Sequence, residues 1–217
     1  MTDAVIFDLD GVIVDSEAVW DEARRRYVSV RGGRWRDEAT RDMMGMSSVE
    51  WSRYVRERLG VDRGPEVISA EVAGAVADLY REHLPVIEGA TEAVERMAVR
   101  WPLGLASSSN REVIDLVLDL AGLARWFAVT VSSEEVSGGK PAPDVYLEAA
   151  RRLEVDPERC VAIEDSHNGI LSASAARMGV VAIPNAEFAP GDEALKRADR
   201  VLGSIEELRP ELVAALK

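Results

Sequence analysis

The chain has 217 residues, 47% hydrophobic and 30% charged, ordinary proportions for a soluble globular protein with room for one domain and an insertion. It has no apolar run of about 18 residues and no basic-then-apolar leader ahead of Asp8, so the expectation is a cytoplasmic protein with no membrane partner. The formal charge of −13 argues against a nucleic-acid partner, and the single cysteine, Cys160, excludes an internal disulfide and reads as a small core residue.

The first predicted element is a strand. The apolar run Ala4 to Phe7 ends abruptly in two carboxylates, Asp8 and Asp10, followed by Gly11. This is the pattern of a buried strand that delivers acids to its C-terminal end. Ser16 reads as the N-cap of a long helix to about residue 31, ended by Gly32-Gly33. Further helices are predicted over 36–43, 48–59 and 65–83, punctuated by Gly45, Gly60 and Gly64-Pro65. From residue 86 the pattern alternates. A helix at 90–100 precedes a strand at 102–109 that ends in hydroxyls. An amphipathic helix follows at 111–121, with Val113, Ile114, Val117, Leu118 and Leu120 on its apolar face, and then a strand at 127–133. A helix at 143–153 leads to the strand 160–165, which again ends in acids. A helix at 167–178, strands at 179–184 and 199–202, and a closing helix from about 204 complete the chain.

Strand–helix alternation predicts an α/β fold with a doubly wound parallel sheet. The core is expected to comprise 1–15 and 86–217, with an α-helical cap inserted at 16–85 and linkers near 12–16 and 84–87. Such an insertion starts just after the carboxylate pair, so it should lie over the end of the first strand, where it could exclude water and read a substrate.

Four clusters fall at predicted strand ends or in the loops beyond them: Asp8 and Asp10; Ser107-Ser108-Ser109-Asn110; Gly138-Gly139-Lys140-Pro141; and Glu164-Asp165. In an open parallel sheet, strand ends share one rim, which is where ligands bind. Lysine is scarce: Lys140, Lys196 and Lys217 are the only ones, and the last two read as surface residues of the tail. Together the clusters supply a nucleophile, an acid/base partner, phosphate-binding hydroxyls, a cation and metal ligands, the components of phosphoryl transfer.

In order and spacing these segments resemble the four signature motifs of the haloacid dehalogenase superfamily, over essentially the whole chain. The run DLDGVIVDSE followed by helices resembles the subfamily of β-phosphoglucomutase, phosphoglycolate phosphatase and sugar-phosphate phosphatases. The resemblance implies that Asp8 attacks phosphorus, that Asp10 protonates the leaving oxygen and then activates water, and that Lys140 neutralises charge. It implies that Ser107, with Ser108 and nearby amides, binds the phosphoryl group. It further implies Mg²⁺ held by Asp8, the backbone carbonyl of Asp10, Asp165 and Glu164, the last directly or through water. Dehalogenation is not expected, because dehalogenases of this superfamily typically lack the second acid.

The inserted segment decides the substrate. Trp20 stands where β-phosphoglucomutase has a histidine, and Met44-Gly45-Met46-Ser47-Ser48 lacks the basic residues that flank its lid-loop glycine. A second phosphate would then lack partners, so hydrolysis of a small sugar or polyol phosphomonoester is expected. Trp20, Gly45, Met46 and Ser47 are the candidate specificity residues. A phosphosugar mutase and a non-catalytic phosphometabolite-binding protein are the alternatives. Asp15, Ser109, Asn110 and His167 read as helix-entry or turn residues, and Asn110 could also reach the substrate. A monomer is expected, with a dimer as the alternative.

Overall fold

The computed structural model describes residues 1–185 and 189–216. Lys217 lies outside them; Lys196 is exposed, as expected. The strands are β1 (Ala4–Phe7), β2 (Leu103–Ser107), β3 (Phe127–Ser132), β4 (Cys160–Glu164), β5 (Gly179–Ala182) and β6 (Arg200–Val201). They form one parallel sheet in the order β3-β2-β1-β4-β5-β6. β1 is central: Phe7 is in register with Leu105 of β2 on one side and with Ile163 of β4 on the other. The chain therefore winds outward in one direction from β1 and later in the other. A crevice opens beyond the strand ends at such a reversal.

Alternation along the strands feeds two apolar layers. Val5 and Phe7 pack with Leu103, Leu105, Val161 and Ile163. Ala4 and Ile6 pack with Ala106, Ala162 and Val180, under Tyr146 and Ala149 of α7 (Asp144–Leu153) and Ile170 of α8 (His167–Ala175). Burying a side chain such as Phe7 or Ile163 contributes about 1.5–3 kcal/mol. The first layer also receives α5 (Ala90–Ala98) and α6 (Arg111–Leu120). Cys160 is buried in the second layer, as expected.

Between β1 and β2 the chain forms α1 (Glu17–Val30), α2 (Ala39–Met43), α3 (Ser48–Leu59) and α4 (Pro65–Glu82). Trp20, Trp51, Leu59, Ile68, Val72 and Tyr80 fill the space among them, continuous with the first layer. The two crossing strands of chain run side by side: Asp15 N–H donates to Pro85 O at 2.9 Å, and Ile87 N–H to Ile13 O at 2.9 Å. Asn110 Nδ2 donates to Ser69 Oγ at 2.9 Å, and Ser48 Oγ to Glu134 Oε1 at 3.3 Å, joining the inserted helices to the sheet's rim.

Several local expectations are corrected. Ser16 stands at the N-cap position in helical geometry, and its hydroxyl is buried without bonding the first turn. Leu120, the last residue of α6, is exposed. The closing helix is split into a 3₁₀ turn, Ile205–Glu207, and the short α10 (Pro210–Ala214), after the four-residue α9 (Asp192–Leu195). Pro210 explains the break, because it forces Arg209 into extended geometry and can only begin a helix. No helix among the described residues is long and apolar enough to cross a membrane.

Candidate active site

The first acid continues β1's ladder before the chain turns. Asp8 N–H donates to Ile163 O at 3.0 Å, and its carboxylate is buried. The turn needs Gly11, which has φ +74°, and a Cβ there would lie 2.0 Å from Asp165 Oδ2. Only glycine combines that backbone geometry with so close an approach to a carboxylate. The turn thus sets the β1 acids directly against the β4 acids.

Lys140 ties the two together. Its Nζ donates to Asp8 Oδ1 at 2.7 Å and to Glu164 Oε1 at 2.6 Å, and the three side chains are almost completely buried. Lys140 follows Gly138-Gly139 and enters a cis peptide bond with Pro141, as the sequence reading allowed. Glu164 also accepts from Tyr146 OH at 2.9 Å, from the N–H groups of Asp165 and Ser166 at 3.0 and 3.1 Å, and from Ser166 Oγ at 3.0 Å. Five donors thus hold one carboxylate, which in turn fixes Lys140 on Asp8. Burial pushes the Asp8 carboxyl pKa up, Lys140 pulls it down, and Glu164 and Asp10 push it up again; the net shift is upward. Asp165 is likewise raised, by burial first and then by Glu164 and Asp8. Burial lowers the pKa of Lys140, but its two carboxylate partners outweigh that and raise it, so it stays a cation.

Asp10 is held by serines. Ser109 Oγ donates to Asp10 Oδ2 at 2.7 Å and Ser107 Oγ to the same oxygen at 3.2 Å, while Asp10 Oδ1 is buried with no partner. Ser109 therefore sits within the acid's own bonding shell, not in a mere turn. Ser107 is fully buried and also accepts from Ser109 N–H at 3.0 Å. Ser108 lines the cavity with its hydroxyl buried and unpartnered. Asn110 faces away from the cavity. Its amide bonds Ser69 and, at 2.7 Å, Glu134, whose other oxygen accepts from Arg111 N–H and so caps α6.

Asp8, Glu164 and Asp165 each bring an oxygen within 4.8 Å of the others, and Asp165 Oδ1 is buried without a partner. An all-oxygen, multiply charged donor set with an orphaned carboxylate atom fits a hard divalent cation such as Mg²⁺. The oxygens of Glu164 are already engaged, so Asp8 and Asp165 are the better placed ligands. The Asp10 carboxylate lies outside this group.

A cavity of about 570 Å³ opens onto these groups, a size suited to a small metabolite. Asp8, Asp10, Lys140 and Asp165 line its floor, and Trp20, Met44, Gly45 and Met46 line its inserted wall. Ser47 does not line it; its N–H and hydroxyl donate to Glu50 at 2.8 and 2.7 Å and cap α3. His167 and Asn168 reach the cavity from the start of α8. The sequence reading missed Arg24 and Arg41, which also line the cavity, so the inserted wall is not devoid of cations. Helical spacing from Trp20 was the signal that could have found Arg24.

The sequence pattern of the haloacid dehalogenase-like hydrolases matches residues 2–177. The chain is 36% identical over 209 residues to Hexitol phosphatase B of Escherichia coli (strain K12), covering 94% of this chain and 93% of that protein. It is 33% identical over 215 residues to Phosphorylated carbohydrates phosphatase of Thermotoga maritima, covering 95% and 99%. The structure is similar to that of β-phosphoglucomutase from Clostridium difficile, with a TM-score of 0.85 and 25% identity over 99% of this chain and 96% of that one.

Proposed function

The chain belongs to the haloacid dehalogenase-like hydrolases, and we propose that it hydrolyses a small phosphorylated sugar or polyol through a phosphorylated Asp8. The observation that carries this reading is Lys140 bridging buried Asp8 and Glu164 on the cavity floor, with Asp10 beside them. The core is residues 1–15 and 86–217, and residues 16–85 act as a cap over it.

Asp8 attacks phosphorus, forming an acyl phosphate as the bond to the leaving oxygen breaks. Asp10 gives that oxygen its proton. Its Oδ2 is tied by Ser107 and Ser109, so the unpartnered Oδ1 is the atom that carries the proton. Asp10 then takes a proton from the water that attacks the acyl phosphate, which releases inorganic phosphate and restores Asp8. Lys140 offsets negative charge on Asp8 and on the incoming phosphoryl oxygens. Ser108 and the loop amides receive the phosphoryl group, while Ser107 holds the loop and Asp10 in place. Mg²⁺, when bound by Asp8, Asp165 and the Asp10 carbonyl, supplies positive charge that favours ionised carboxylates and neutralises phosphate. Glu164 keeps Lys140 in place. Gly45, Met46 and Trp20 bound the space left for the leaving group, and Ser47 shapes their loop.

Phosphate release from a panel of sugar, polyol and small-acid phosphates, with and without Mg²⁺, tests the reading. Mg²⁺-dependent release is expected, with a hydroxylamine-sensitive phosphate label on the wild type that Asp8→Asn lacks. Undiminished turnover by Asp8→Asn would refute it. Conversion of β-glucose 1-phosphate to glucose 6-phosphate with a bisphosphate primer, without phosphate release, would make the protein a mutase.

A further inference from the structure

α1 presents Glu17, Trp20 and Arg24 to the cavity at spacings of three and four residues, one face of the helix. Arg24 is the unusual member. Its guanidinium carbon lies 4.9 Å from the ring centre of Trp20 and 4.9 Å from that of Trp51, and the two indoles are 5.9 Å apart. They flank the guanidinium, and the residue is 8% exposed where it lines the cavity. Indole faces attract a cation but accept no ordinary hydrogen bond. Accordingly, Arg24 Nε is buried with no acceptor, and no described residue offers the side chain a hydrogen bond or an ion pair.

An arginine used only for packing would be expected to find acceptors for its five donors. Arg111 does so, donating to Thr130 Oγ1 at 2.7 Å and Thr130 O at 3.0 Å. Glu17 shares the wall with Arg24 without pairing with it, two helical turns away. Burial lowers the Arg24 pKa to about 10, against the pull of Glu17, Asp10 and Asp21, so the group is a cation at neutral pH. Those carboxylates attract the charge but none is hydrogen-bonded to it, and a buried cation whose donors go unanswered is costly until something supplies an acceptor. The planar fork of a guanidinium matches a carboxylate or a phosphate, which it binds through two parallel hydrogen bonds. Asp8 and Arg24 line the same cavity, so one ligand could meet both.

We propose that Arg24 determines specificity by binding an oxyanion, a carboxylate or a second phosphate, on the part of the substrate that is not transferred. This deepens the phosphatase reading and rests on it: the substrate class becomes a phosphorylated sugar or polyol with a second acidic group. The indoles of Trp20 and Trp51 hold the guanidinium in orientation.

The test compares 6-phosphogluconate, fructose 1,6-bisphosphate and sorbitol 6-phosphate as substrates of the wild type, Arg24→Gln and Arg24→Lys. The wild type is expected to favour one of the two diacidic compounds; the first would identify a carboxylate and the second a phosphate. Arg24→Gln should lower kcat/KM for the favoured compound on the order of 100-fold, mainly through KM, and for sorbitol 6-phosphate by less than about tenfold. Arg24→Lys should recover part of the loss. Equal losses on all three compounds, or a wild-type preference for sorbitol 6-phosphate, would overturn the proposal. Calorimetric titration of Asp8→Asn and of its Arg24→Gln double variant with the same compounds reads the preference without turnover. Diacid binding lost with Arg24 in a chain that hydrolyses nothing would keep this inference and sink the phosphatase reading. Hydrolysis of all three without preference would do the reverse.

Discussion

Gly169→Ala is a sharp test of how the site is held. An ideal Cβ on Gly169 would lie 1.7 Å from Glu164 Oε1 and 2.0 Å from its Cδ. A loose carboxylate would swing away from such a methyl at little cost. Glu164 cannot, because Lys140, Tyr146, Ser166 and two backbone N–H groups all hold it. The substitution must therefore shift α8 or turn Glu164 out and leave buried charge unpaired. Removing one partner of a buried ion pair costs about 3–5 kcal/mol, whereas alanine in a helix interior gains about 1 kcal/mol over glycine. The net destabilisation should be about 2–4 kcal/mol, a large share of the roughly 5–15 kcal/mol that such a domain has. The same chemical change at Gly74, exposed on α4 with nothing within 4 Å of the added Cβ, should stabilise by about 0.5–1 kcal/mol. Urea midpoints of both variants, read beside kcat/KM for phosphate release, give the comparison. Gly169→Ala with wild-type stability and wild-type turnover would refute the reasoning, because Glu164 would then not be fixed as described.

Burial alone would raise the Glu135 pKa, but Arg111, the Ser132 N–H and Arg152 outweigh it and hold the pKa at about 2. A depressed carboxylate contributes stability above its unfolded pKa and loses it as pH falls through its folded one. After screening, Glu135→Gln should cost about 1–2 kcal/mol at pH 7 and progressively less from about pH 4.5 to 2, measured by denaturant melts. Mg²⁺ at a hundred times its Kd should stabilise the protein by about 2.7 kcal/mol, and Asp165→Asn should abolish most of that rise in melting temperature; a wild-type Tm that ignores Mg²⁺ would remove the metal from this site. Ser109→Ala removes the shorter of the two bonds to Asp10 and should lower kcat about tenfold with KM little changed; steady-state kinetics with unchanged kcat would show that Ser107 positions the acid alone.

The strands and the placement of the polar groups at their ends were legible because each strand near the site is an apolar run that stops at a polar group, and a parallel sheet collects such stops on one rim. Asp8, Asp10, Glu164 and Asp165 were found in that way, and Lys140 stood out because lysine is rare here. Direction within a loop was not legible. Ser107, Ser109 and Asn110 are near neighbours, yet the two serines turn to Asp10 while Asn110 turns to Ser69 and Glu134. Tyr146 looks like any buried aromatic of an amphipathic helix, and nothing in its surroundings announces that it donates to Glu164. Arg24 was missed because basic groups were sought only at Trp20 on the first inserted helix and around Gly45 in the loop. Its place on the cavity wall depends on Trp51, a residue of another helix, standing beside Trp20.

The topology gives chemistry and selectivity a common frame. The turn that carries Asp8 and Asp10 runs straight into α1, which begins at Glu17 and carries Trp20 and Arg24. That turn is pinned at Gly11 against Asp165, and its exit is bonded to the returning chain at Pro85 and Ile87. The inserted helices meet the rim again through Ser69 on Asn110 and Ser48 on Glu134, next to the serines that hold Asp10. A ligand that spanned Asp8 and Arg24 would therefore pull in the same direction as these bonds, closing helix onto sheet. A phosphate without a second anion would engage the floor but gain nothing from Arg24. If Arg24 binds such a group, an acidic leaving group would answer the buried guanidinium and, by bridging wall and floor, would help to exclude the water that competes with Lys140 for the phosphoryl oxygens.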